Sequence, residues 1–177
     1  VDDFIQLLDA KAFLRCSSAD DDKVYRGPAS VIYLPTAELK AWFEPKPDTK
    51  FLLLDEYRKV VGEKDWDRLD DFLMRLGVEK APRIVSSRSV LGWHDLRQRG
   101  WTTEGHSHTF HDNAIDGCEE VIQDINPVRS LLVWRFAQNC MSSLYGVHSW
   151  FHYKERGTKY SSTEGKRLRT EQWIVTK

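Results

Sequence analysis

The sequence predicts an α+β fold: a mostly helical single domain carrying small antiparallel β-ribbons. Three observations carry this. KDWDRLDDFLMRLGVEKAPRIV (residues 64–85) places Trp66, Leu69, Phe72, Leu73 and Leu76 at helical spacing, with Asp65, Asp67, Arg68, Asp70 and Asp71 on the other face. Asn126-Pro127 opens a second apolar run through Val128, Leu131, Leu132, Trp134, Phe136, Cys140 and Leu144. VYRGPASVIYL (24–34) and the stretch 148–161 have the composition of short strands.

Taken in order, DDFIQLLDAKAFL (2–14) sets Phe4, Ile5, Leu7, Leu8 and Phe13 around a helix led by two aspartates. SSADDDK (17–23) is a polar turn, and Gly27-Pro28 breaks the β-rich run that follows. Thr36 caps a short helix whose Leu39, Trp42 and Phe43 turn inward. FLLLDEYRKVV (51–61) begins as a buried strand or helical turn and leads into the helix of residues 64–76. Gly77 stands where a left-handed C-terminal cap belongs, and Pro82 blocks a restart.

SRSVLGWHDLRQRGW has room for a short helix, weakened by Gly92 and Gly100. WTTEGHSHTFHDN (101–113) reads as a polar, histidine-rich loop, and a helix is expected over 113–125. Pro127 takes the first helical position, where a missing N–H costs least. HSWFHYKERG (148–157) reads as a strand, KYSSTEGKRLR as a helix capped by a Ser161–Glu164 box, and TEQWIVT as a closing strand.

A chain of 177 residues buries a real core. Seven tryptophans argue against disorder, and no window reaches the length of a membrane span. Cys16, Cys118 and Cys140 are an odd set without Cys-x-x-Cys spacing, which fits reduced thiols in the cytoplasm. The net charge of −1 hides an asymmetry: residues 1–79 carry 12 basic and 17 acidic side chains (−5), residues 80–177 carry 14 and 10 (+4). This divides the domain into an acidic helical half, 1–82, and a basic half, 83–177. An opening at Val1 within a helical run and a close at Lys177 after an apolar one lead to the expectation of a piece excised from a longer polypeptide.

One cluster has the residue types for metal chemistry: His106, His108 and His111, followed by Asp112. Alternating histidines on an extended segment point one way, and imidazole suits zinc, so a metal-dependent hydrolase or nuclease is one reading. It is similar to the metallo-β-lactamase phrase His-x-His-x-Asp-His, but Phe110 replaces the aspartate and no apolar strand precedes it. A histidine-rich surface segment is therefore expected, with no metal ligands. Cys118 and Cys140 fall on apolar helix faces and are expected to be structural. The carboxylate runs Asp20-Asp21-Asp22, Asp70-Asp71 and Glu119-Glu120 diverge around a helix and read as solvated faces. The basic stretch Lys154 to Arg169, with Tyr153, Tyr160 and Trp173 nearby, supports a nucleic-acid-binding reading, weakened by Glu155 and Glu164.

Several phrases together resemble the large sacsin-like proteins. They are AKAFLRCSSADDDKVYRGPASVIYLP, the aromatic end at Ala41-Trp42-Phe43, Phe51 to Tyr57, Trp66 to Pro82, then HDNAIDGCEEVI, SLLVWRF and SSTEGKRLRTEQWIVT. Those are long bacterial and eukaryotic chains whose N-terminal region is similar to the ATPase of gyrase and heat-shock chaperones. The chain departs from that ATPase: it has only Asn113, Asn126 and Asn139, no glycine-rich lid and no GxxxxGK[ST] loop. The resemblance therefore implies a module downstream of the ATPase domain. That module would be a non-catalytic, chaperone-like scaffold, with flanking domains of the same polypeptide and client proteins as partners. It assigns no catalytic residue, cofactor or metal to this stretch, no membrane contact and no nucleic acid, and leaves ATP hydrolysis to the parent protein.

Overall fold

A computed structural model describes residues 14–18, 23–92, 107–152 and 154–170. The chain divides into two compact units, Val1–Pro82 and Arg83–Lys177, and each is described by itself. The chain is α+β, with short helices and two small, mainly antiparallel sheets. No helix among the described residues is long and apolar enough to cross a membrane. The helix expected over residues 2–13 and the closing strand over 171–176 lie outside the described residues.

In the first unit, β1 (Leu14–Ser18), β2 (Val24–Gly27), β3 (Ile32–Tyr33) and β4 (Lys50–Leu52) form a sheet in the order β2-β1-β4-β3. β1 runs antiparallel to both neighbours, and β3 runs parallel to β4. A parallel pair needs a crossover, and α1 (Ala37–Phe43) supplies it. The Thr36 hydroxyl accepts from the Leu39 N–H at 3.2 Å, the expected cap. Alternation along the strands sorts the core into two sides. Tyr33 and Phe51 meet Phe43 of α1, with ring centroids 4.6 and 6.2 Å apart. Cys16, Ile32 and Leu52 turn the other way and pack with Leu73, Leu76 and Val78.

α2 (Leu54–Val61) and α3 (Trp66–Arg75) cover that second side. Gly62, at φ 69°, ends α2. α3 stops as its sequence demands. The Gly77 N–H bonds to Met74 O and the Val78 N–H to Leu73 O, both at 3.0 Å, with Gly77 at φ 101°. This is a Schellman closure, and the buried Val78 and Leu73 make its hydrophobic clasp. The expected apolar face was one residue too wide. Leu73 and Leu76 are buried and Trp66 and Leu69 half-buried, but Phe72 is 47% exposed, because it lies about 100° around the helix from Leu73.

The second unit is a four-stranded antiparallel meander: β5 (Ile84–Gly92), β6 (Ser107–Ile115), β7 (Tyr145–His152) and β8 (Lys154–Ser161). Three expectations change here. Residues 87–92, which had room for the start of a short helix, belong to the strand Ile84–Gly92. Residues 107–113 are strand, not loop. The helix expected from residue 113 begins at Cys118, because Asn113–Ile115 complete β6 and Gly117, at φ 80°, turns the chain into α4 (Cys118–Gln123). The strand expected over 148–157 is a hairpin of β7 and β8.

α5 (Pro127–Cys140) starts as expected, with Pro127 in its first turn and the Asn126 side chain accepting from the Arg129 N–H at 3.0 Å. α6 (Thr163–Thr170) packs on β6. Its cap is Ser162, whose hydroxyl accepts from the Gly165 N–H at 3.0 Å, rather than Ser161, which belongs to β8.

Candidate functional site

The histidines come first, since sequence marks them most clearly. His106 lies outside the described residues. His108 and His111 both sit on β6, three residues apart, so they project from opposite faces of the strand. His108 is fully buried, and burial pulls its imidazole below the usual histidine value. His111 is half-buried on the other face, in register with Arg88 and Val147. The strand therefore separates two of the three imidazoles that a shared metal would need together. Among the described residues, no group of three or more His, Cys, Asp or Glu side chains is placed to hold a metal ion.

Among the described residues, Glu164 is the most perturbed carboxylate. β7 begins at Tyr145, so the Ile115 N–H at the end of β6 has no strand residue opposite it. The Glu164 carboxylate, reaching in from α6, accepts that N–H at 2.7 Å. Asn113 does the same service one register step back, donating to Ser143 O at 3.1 Å. Burial pushes the Glu164 carboxyl up to about 7, while the Ile115 N–H, the Cys118 thiol and the Arg167 guanidinium pull it down. Burial, then the Glu164 charge, push both Cys118 and Cys140 above the usual thiol range. These thiols are held protonated, which suits packing and not nucleophilic attack. Gly165 allows the close approach of α6, since a Cβ there would stand 3.0 Å from Leu144 O.

In the first unit a cleft of about 640 Å³ opens beside α2, lined by Ser18, Lys40, Glu44, Asp55 and Arg58 among others. Its charges are of both signs. Arg58 is committed elsewhere: it bonds Asp70 at 3.0 Å and stacks 4.8 Å from the Trp66 ring centre. Glu56 pairs with Arg15 at 2.7 Å. The cleft is shaped by packing of α2 on the sheet, and no sequence motif announced it.

α5 forms where its apolar run lies, and only part of that run is covered. Its buried arc holds Leu132, Val133, Phe136 and Ala137, together with Arg129, which bonds Asp124. Val128, Leu131 and Trp134, members of the apolar run that marks this helix in the sequence, are 61%, 63% and 55% exposed. At about 100° per residue these three span an arc of about 120° opposite the buried side. α5 thus carries apolar residues on nearly its whole circumference, and only one arc is covered. A single exposed leucine means little, whereas these three side chains, one turn apart along the helix, form a stripe that includes a tryptophan. The basic stretch Lys154 to Arg169 is divided between β8 and α6, with Arg167 3.9 Å from Glu119. Comparison with protein-family models, with curated proteins and with solved structures finds no match.

Proposed function

We propose that the chain is a non-catalytic scaffold and interaction module of a large sacsin-like protein, working in the cytoplasm through contacts with flanking domains and client proteins. The observation that carries this is the exposed apolar stripe of α5, Val128, Leu131 and Trp134. Its three side chains leave water only if another surface covers them, at roughly 25 cal/mol per Å² buried. The chemistry of the buried groups agrees with the reading. The thiols are shifted toward the unreactive form, and the strand histidines face apart.

A photo-crosslinking residue at position 131 of the full-length polypeptide tests it, with position 139 as an exposed polar control. Cross-links from 131 that map to another domain of the same polypeptide, or to a defined client, support the module. Cross-linking from 131 no stronger than from 139 refutes the role of α5. In parallel, the isolated chain should turn over neither ATP nor GTP above a boiled control, because phosphoryl transfer needs a cradle of backbone donors and a magnesium-holding side chain. Robust turnover would overturn the non-catalytic part.

A further inference from the structure

The two sheets treat their edges differently. In the first unit the edge strands β2 and β3 are four and two residues long, the usual way of blunting an edge. In the second unit β5, an edge strand among the described residues, runs nine residues, paired with β6 from Ile84 to Gly92 without a bulge. It holds no proline and one charge, Arg88, whereas the opposite edge β8 carries Lys154, Glu155, Arg156 and Lys159.

Register fixes which groups of β5 face outward. The Asp116 N–H bonds to Arg83 O at 2.8 Å, and residues 83 and 116 continue the β5–β6 register. In an antiparallel ladder the hydrogen-bonded pairs alternate. Residues 85, 87, 89 and 91 therefore turn their N–H and C=O toward β6, and 84, 86, 88, 90 and 92 turn theirs to the open edge. Ile84, Ser86, Arg88 and Val90 also share one face of the sheet. All four are exposed, Val90 at 54%. Arg88 has no carboxylate partner among the described residues.

That arrangement discriminates between occupants. A second copy of β5, paired antiparallel through the outward groups, has three long registers, centred on Ser87, Arg88 or Ser89. The middle one places Arg88 directly opposite its own copy, and the other two place the pair diagonally, about 7–8 Å apart. Like charges at these positions oppose pairing, so self-association is disfavoured. A strand that brings a carboxylate to the place opposite Arg88 turns the same charge into an attraction.

We propose that the open edge of β5 binds an extended acidic peptide segment by strand addition, antiparallel to β5, with a carboxylate opposite Arg88 and apolar side chains opposite Val90 and Ile84. Read from its N-terminus, the segment places an apolar residue first, the acidic residue two positions later and a second apolar residue four positions after that. The outward N–H and C=O groups of Ile84, Ser86, Arg88 and Val90 supply affinity, and Arg88 supplies selection. This names a partner class for a second surface and rests on the interaction-module reading. Its test leaves α5 untouched, so failure here and failure there are distinguishable.

The probe is a labelled nine-residue peptide alternating valine and threonine, with glutamate opposite Arg88, compared with its lysine counterpart by fluorescence anisotropy on the whole chain. The glutamate peptide should bind about fivefold more tightly, the scale of one cross-strand charge reversal. Arg88→Glu should invert the preference. Ser86→Pro removes an outward donor and leaves the β6 ladder intact, so it should abolish binding of both peptides with little change in melting temperature. Amide exchange at residues 84, 86, 88 and 90 should slow on binding. Equal binding of the two peptides, or unchanged exchange at those amides, would overturn the proposal. So would a concentration-dependent dimer of the chain alone that Ser86→Pro dissolves, since the occupant would then be a second copy.

Discussion

Replacing Glu164 by glutamine should change how stability depends on pH more than it changes stability itself. The Glu164 carboxyl titrates at about 7 in the fold against 4.5 for an ordinary glutamate, chiefly because burial disfavours its charged form. The folded state thus holds a proton that the unfolded chain has released between these values, and stability falls with rising pH across that window. The contribution is fully present below about 4.5 and is lost as pH rises through about 7. A displacement of this size converts to roughly 3 kcal/mol, reduced to about 2 kcal/mol by residual solvent screening. Glutamine keeps an acceptor for the Ile115 N–H and cannot ionise. Glu164→Gln should therefore match the parent near pH 4 and exceed it by about 2 kcal/mol near pH 8. His108 works in the opposite direction, since its lowered value favours the fold above the histidine range. The difference between variant and parent removes that background. Urea unfolding from pH 4 to 8, read through exchange of the Ile115 amide, gives the comparison. A variant weaker than the parent by the same amount at every pH would refute the buried-carboxylate reasoning.

Leu73→Ala should cost about 2–5 kcal/mol in urea unfolding, because Leu73 is buried in the core of the first unit and closes the clasp with Val78. A cost near zero would reject the assigned face of α3. After dialysis against a chelator the chain should retain no stoichiometric zinc. Retention abolished by His108→Ala and by His111→Ala alike would mean that both imidazoles reach one ion, and would restore the hydrolase reading.

Local chemistry was legible in the sequence, and distance was not. Thr36, Gly77 and Pro127 act within a turn of themselves, and each does what its residue type dictates. The class of fold followed from such signals. Phe72 misled, and the α5 stripe went unseen, because an apolar residue at helical spacing does not say which arc of the helix is covered. Ser162 took the cap expected of Ser161 because β8 extends through Ser161 to pair with Tyr145. Glu164 was read as the far half of a capping box, yet it serves a backbone group 49 residues away. The histidines looked like a set because three fell within six residues, and only the strand geometry of β6 showed that neighbours of odd separation part company. Residues 84–92 gave no clear strand signal, since Ser86, Ser87, Arg88 and Ser89 interrupt the apolar pattern between Ile84-Val85 and Val90-Leu91.

The two sheets also imply two different orders of assembly. In the second unit β6–β7 and β7–β8 run in chain order, and β7 and β8 are joined by a single residue, so pairing there grows from a hairpin. In the first unit β1 lies between β2 and β4, and β3 joins β4 only in parallel across α1. As the chain leaves the ribosome, β1 and β2 pair first, but one side of β1 stays open until residues 50–52 have emerged. The clasp at Gly77 cannot close for 25 residues more. Each unit thus has one pairing that must wait for a distant strand, β1–β4 across 32 to 36 residues and β6–β7 across 34 to 42, and loop closure makes such contacts slow. The β7–β8 hairpin of the second unit has no such wait, since its strands are neighbours in the chain.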